Sequence, residues 1–290
     1  MNRRRLLAGL GTAAAVGLAG CSGDGGDESG TGGNESDDGD DAGGDTADRP
    51  FPDAAWRDGD GLDVETLATR HADAAVEAGG ATLFSTAETT HDGDEDPTPW
   101  LPSQEYESRY DLENQRLYVR QALTGTDASN VSELYAADGE ALFRVERQSG
   151  GEYDRQSIDR SSGELESTMR SEMATGIRVE GETADGETEY EGLNLWNPAS
   201  DGAGEVRGEE TARFAADTFD GDRNVPETVE TASATVHVYE SGVVPRLEQS
   251  WAGEHDGGEA SVDVDIDYRD FGATVSEPEW AETARQETDS

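Results

Sequence analysis

The sequence predicts an α+β domain made of a long N-terminal helix, about eight antiparallel strands and a mid-chain helix. Three patterns carry that expectation. Val64, Leu67, His71, Ala75 and Ala78 recur at helical spacing. Short alternating segments separated by turn residues follow from Ala81 onward. Leu165, Met169 and Met173 stand four apart and so share one face of a second helix.

Asp63 precedes the first stripe as an N-cap, and Gly79-Gly80 end a helix predicted over 64–78. In 81–90, Thr82, Phe84, Thr86 and Glu88 alternate against Leu83, Ser85 and Ala87. An acidic, proline-bearing loop over 91–102 leads into a strand with Tyr106, Ser108, Tyr110 and Leu112 on one face. Glu113-Asn114 turns the chain into a strand over 115–123. Segments 133–137 and 140–147 flank Asp138-Gly139, a hairpin signal. The second helix is predicted over 163–174. Residues 180–191 are acidic, and Leu193 to Trp196 is an apolar island. Strands are expected over 206–214, 234–239 and 243–251, the last two turning at Ser241-Gly242. Between Ser261 and Tyr268, Val262, Val264, Ile266 and Tyr268 face a core, while Asp263, Asp265 and Asp267 face solvent. Phe271 to Trp280 closes the domain, and residues 284–290 are expected to fray.

Ahead of this domain stands an export signal. Arg3, Arg4 and Arg5 precede an apolar run over 6–19, shorter than the roughly 20 residues of a spanning helix. This is the layout of a secretory signal over 1–20, and its paired arginines resemble a twin-arginine signal. Leu18-Ala19-Gly20-Cys21 resembles the lipobox of bacterial and archaeal lipoproteins. That resemblance implies that Cys21 takes a lipid, becomes the mature N-terminus and anchors the protein in the bilayer at the extracellular face. A plain cleavable signal with an incidental cysteine is the alternative. Residues 21–49 read as the lipidated cysteine and a disordered acidic tether, too poor in apolar groups to offset ordering. A single domain over 50–283 follows. Asn34 and Asn130 each open an Asn-x-Ser triplet and are glycosylation candidates.

The chain has 66 acidic residues against 21 basic ones and a net charge of −45. Every basic residue is arginine, and loss of the three signal arginines would leave a net −48. Such charge strains a compact domain in dilute buffer. In molar salt the Debye length falls to about 3 Å and the repulsion is screened. The composition resembles that of exported proteins of halophilic archaea. It also argues against nucleic-acid binding, which needs a basic face. With Cys21 lipidated, no cysteine remains for a disulfide or thiolate site.

Residues with chemistry form no pattern of known spacing. His71 lies on the helix stripe and His237 in a strand, and both read as packing residues. His91 and His255 each precede Asp in acidic stretches, where solvent exposure is expected over metal binding. Asp92, Asp94, Glu95 and Asp96, like Asp58 and Asp60, lack the complete calcium-loop pattern. The sequence contains no Gly-x-Ser-x-Gly elbow and no P-loop. No catalytic residue, metal or cofactor is therefore assigned.

The order of elements is similar to the lipoprotein-carrier superfamily of the LolA and LppX/LprG type. The helix from Val64 into the strand at Ala81 carries the resemblance, with the meander over 106–147. The C-terminal hairpin over 236–247, Tyr268 to Gly272 and Glu277 to Trp280 add to it. The resemblance implies an unclosed, curved, mostly antiparallel half-barrel with both helices on its concave side, around a cavity for a lipid or acyl chain. Leu165, Met169 and Met173, with Phe84, Trp196, Phe214 and Trp251, are the candidates to line such a cavity, Met being the adaptable element. The other reading of this set is an ordinary filled core. Three functions follow: a non-catalytic, membrane-anchored binder of an apolar ligand; a structural or interaction module contacting an envelope protein; or an exported hydrolase.

Overall fold

The computed structural model describes residues 49–92, 103–124, 130–147, 150–182, 188–221 and 226–289. The signal, Cys21, the tether to Asp48, Asn34 and the acids Asp94 to Asp96 lie outside them. Strands β1 (Arg57–Asp58) and β2 (Gly61–Leu62) form a short hairpin before helix α1 (Val64–Glu77). The Asp63 carboxylate caps α1, accepting from Thr66 N at 2.9 Å and from Thr66 Oγ1 at 2.7 Å.

Two meanders make the main sheet. The first comprises β3 (Gly80–His91), β4 (Ser103–Asp111), β5 (Arg116–Thr124), β6 (Asn130–Ala137), β7 (Glu140–Arg147) and β8 (Gly150–Ser157). Helix α2 (Ser162–Ala174) follows. A separate hairpin of β9 (Arg178–Glu182) and β10 (Thr188–Gly192) leads to a 3₁₀ turn over Leu193–Leu195. The second meander comprises β11 (Ala199–Val206), β12 (Glu209–Ala216), β13 (Thr228–Val238), β14 (Arg246–His255) and β15 (Gly258–Arg269). Helix α3 (Ala281–Thr288) ends the described chain. β15 pairs with β3, so the meanders merge into one eleven-stranded antiparallel sheet, open between its edge strands β11 and β8. This is the unclosed half-barrel that the resemblance implies, with α1 and α2 packed on one face.

Alternation decides which residues face the helices. Leu83, Ala87, Tyr106, Tyr110, Leu117, Val119, Phe143, Leu247, Val262, Val264, Ile266 and Tyr268 join Val64, Leu67, Ala72 and Ala75 of α1 and Leu165, Met169 and Met173 of α2 in one continuous core. A second, smaller core lies on the outer face. There Tyr135, Ala137 and Leu142 pack against Val275, Trp280, Ala281 and Ala284.

Three expectations are corrected. The sheet has more strands than expected, because β8 is a strand not expected from the sequence and the weakly apolar stretch over 199–216 holds a hairpin rather than one strand. Arg207 (φ 54°) and Gly208 (φ 82°) make its turn. Helix α2 starts at Ser162, fixed by a capping box in which Ser161 and Glu164 exchange hydrogen bonds. Residues 284–288, expected to fray, belong to α3. Ala281 and Ala284 there are fully buried, and Arg285 Nε donates to Glu140 Oε1 at 2.6 Å.

One substitution tests that outer core. Ala284→Glu places an unpaired carboxylate against Tyr135 and Leu142 and should cost on the order of 3 kcal/mol. A urea midpoint equal to the parent's would contradict the packing of α3.

Candidate functional site

The concave face has a covered end and an uncovered end. At the covered end, α1 and α2 lie over the sheet near Leu83, Tyr110 and Tyr268. His71 of α1 is fully buried; its Nδ1 accepts from Val244 N at 3.1 Å, and its ring meets Tyr268 edge-on at 4.5 Å. Burial pulls its pKa down to about 3. Glu172 of α2 turns its carboxylate inward, where Ser108 Oγ donates to Oε1 at 3.4 Å. Burial pushes the Glu172 pKa up, against hydrogen bonds from Tyr106 and Ser108. The Tyr268 hydroxyl donates to the Thr175 carbonyl at the end of α2. Gly176 follows with φ 82°, and a Cβ there would lie 2.6 Å from Ile266 Cδ1. Arg170 ties α2 to α1 through Asp73. These contacts hold both helices by polar anchors as well as by packing.

The candidate lining residues fall into three places. Leu165, Met169 and Met173 are fully buried between α2 and the sheet. Trp196, Trp251 and Phe214 are buried as well. Trp196 packs at a tilt against Trp251 and Phe219 with ring centroids 5.0 Å away in both cases, while Phe214 meets Trp56 edge-on at 5.9 Å. All six belong to one continuous core, the aromatic ones packed with Trp56 and Phe219. Phe84 does not join them. It stands on the opposite face of β3, half-buried, with the Arg269 guanidinium 5.1 Å from its ring centroid. Strand parity dictates this, since its neighbours Leu83 and Ser85 take the concave side.

Beyond the helices no other described helix lies over the same face, and its described residues are less deeply buried. Ladder pairing puts Leu123 opposite Gln104, Leu134 opposite Val119 and Phe143, and Val145 opposite Ser132. Leu123 and Val145 are only partly buried, as is Leu134, which packs against the core between buried Val119 and Phe143 on its own rung; Leu117, Ala136 and Ala141, one rung toward the helices, are buried. Gln104, Gln121 and Ser132 border the strip, with Gln121 Nε2 donating to Gln104 Oε1 at 2.9 Å. Asn130 opens β6 beside this end, paired with Leu123. The sequence marked none of the strip residues as binding residues. Its only signal was apolar parity on β5, β6 and β7, which does not show where the covering helices stop.

The histidines separate. His237 pairs its Nδ1 with Thr211 Oγ1 at 3.0 Å. His91 and His255, from opposite ends of the chain, come together at the far rim with rings 5.7 Å apart. His91 Nε2 donates to the His255 carbonyl at 2.9 Å. His255 is buried rather than exposed, the β14–β15 turn enclosing its ring. Asp92 accepts from Glu259 N at 2.7 Å, which seals the β3–β15 ladder. Outer-face depressions are open and polar. One of about 360 Å³ is lined by Glu88, Glu248, Asp263 and Asp265.

These features define a class: an open antiparallel half-barrel whose concave face is partly closed by two helices. The chain belongs to a family of unknown function, DUF7537, whose model matches residues 6–284. No curated protein matches it in sequence. Among solved structures it is similar to a domain described as an outer membrane lipoprotein-sorting protein domain from Vibrio parahaemolyticus, at 9% identity and a TM-score of 0.15. That match covers 74% of this chain and 98% of the other. The Pseudomonas aeruginosa MucA/MucB complex matches at 11% identity and a TM-score of 0.11, covering 73% and 96%. A structure of MucB with periplasmic MucA matches at 12% identity and a TM-score of 0.10, covering 73% and 96%. Function is therefore argued from this chain's own residues.

His71 supplies a pH test. Its folded pKa lies below the unfolded value of 6.5, so the unfolded chain binds the extra proton between pH 6.5 and about 3. Stability should fall as pH drops below 6.5, by up to about 1.4 kcal/mol per pH unit. Glu172 acts oppositely, because its raised pKa removes stability as pH rises above its ordinary range. The loss of stability from pH 6.5 to pH 5 in molar salt should be larger in the parent than in His71→Gln, where the opposite contribution of Glu172 remains. The same difference in both proteins would assign the effect elsewhere.

Proposed function

We propose that this chain is a non-catalytic binding module whose concave face takes an apolar or amphiphilic guest. One observation carries the proposal: the strip of Leu123, Leu134 and Val145 extends the apolar face beyond the helices that cover the rest. A bare apolar strip rimmed by amide and hydroxyl groups suits a chain-like guest with a polar end. The guest would lie along β5 to β7.

In this reading Cys21 holds the module at the extracellular face of the membrane through its lipid, and the acidic tether sets its reach. The net charge supports operation in concentrated salt. A second reading keeps one specific support. Leu165, Met169, Met173, Trp196, Phe214 and Trp251 are fully packed, as in a structural module that meets an envelope protein through its outer surface.

Uptake of a fluorescent long-chain fatty acid by the Cys21→Ser protein in molar salt distinguishes the two. Saturable uptake is expected, reduced at least about tenfold by Val145→Glu, since one charge in an apolar contact costs more than about 1.4 kcal/mol. Leu134→Glu should act alike, with circular dichroism checking that each variant folds. Absence of uptake by the folded parent would favour the second reading. Cys21→Ser should also release folded protein from cells into the medium; retention at the membrane would contradict the anchor.

A further inference from the structure

The rim where β14 turns into β15 holds a donor set that the concave face does not use. His255 is 7% exposed, and neither of its ring nitrogens makes a hydrogen bond. Buried polar groups almost always find a partner, so an imidazole with both nitrogens idle needs a reason. Two carboxylates face it instead. Nδ1 lies 3.9 Å from Glu227 Oε1, and Nε2 lies 3.4 Å from Asp256 Oδ2. One donor atom from each of the three residues lies within 4.8 Å of the other two.

We propose that His255, Glu227 and Asp256 form a binding site for a divalent transition-metal ion of the zinc class. An imidazole with two carboxylates selects such an ion over calcium or magnesium, which take oxygen ligands throughout. Bonds of about 2.1 Å require donors about 3.4 Å apart, so the set must contract modestly. Glu227 is exposed and supplies that movement. Asp256 is held by a tight turn, with φ 46° there and 77° at Gly257. His91 fixes the backbone behind the ligand by its bond to the His255 carbonyl, the supporting role outer partners play at metal sites. A depression of about 410 Å³ at the same rim, lined by His91, Asp92, Glu230 and Glu259, offers an acidic approach for a cation. Three protein ligands leave a coordination position for water. The ion would cross-link the segment entering β13 to the β14–β15 turn and stiffen the rim.

The test uses the full chain with Cys21→Ser, which removes the only thiol, in molar potassium chloride with excess magnesium to occupy surface carboxylates. Zinc and cobalt(II) are titrated separately. The expected result is one tightly bound equivalent, a cobalt(II) visible spectrum of a low-coordinate nitrogen–oxygen site, and a higher Tm with zinc. Glu227→Gln and Asp256→Asn alter exposed side chains, so the fold is retained; each should weaken binding at least about tenfold. His255→Gln should abolish the spectrum. Absence of a stoichiometric equivalent would overturn the proposal, as would affinity unchanged in the Glu227→Gln, Asp256→Asn double variant.

Discussion

The β15–β3 ladder is the interaction on which the rest of the domain depends. Each meander needs only local turns, but this ladder joins strands from opposite ends of the chain through ten residue pairs, from Ala260↔His91 to Arg269↔Thr82. Closing so long a loop costs entropy that only extensive pairing and burial offset. The ladder sets Tyr268 beside Leu83, so the inner faces of both meanders become one surface. His71 then packs on Tyr268, and α1 and α2 have a common floor. Without this seam there are two curled sheets and no shared core.

A sheet of eleven strands offers more inner face than two helices of 14 and 13 residues can cover. The helices sit where polar anchors hold them: Glu172 on Ser108, the Tyr268 hydroxyl on Thr175, and His71 beneath Val244. Burial of an acid and an imidazole is costly unless they are bonded, so these contacts specify position more than they add stability. Toward β5 to β7 no described helix continues the covering, and Leu123, Leu134 and Val145 are only partly buried. The boundary between packed core and available wall thus follows from helix length and anchoring.

Much of the fold was legible in the sequence because local chemistry agreed with tertiary need. Asp63 and Gly79 bracket α1, Asp138-Gly139 turns β6 into β7, and the Val-Asp alternation of β15 states its two faces. The hairpin of β11 and β12 was hidden, since Asp201-Gly202-Ala203-Gly204 has little apolar content and Arg207-Gly208 is a weak turn signal. Helix α3 was hidden because its buried face is two alanines. The Met stripe was visible as a face, but its burial against a filled aromatic cluster was not. Phe84 was misassigned although its alternation with Leu83 and Ser85 was already in view. The strip and the His255 cluster were beyond reach, because each gathers residues from separate strands and depends on register.

The proposed guest would lie on the strip of Leu123, Leu134 and Val145 while the packed core beneath α2 stays closed. Methyl NMR of the domain with a spin-labelled fatty acid tests it directly. Paramagnetic broadening of the Leu123, Leu134 and Val145 methyls is expected, with Leu165, Met169 and Met173 remaining sharp. Broadening of the α2 methyls with the strip unaffected, or of neither set, would contradict it.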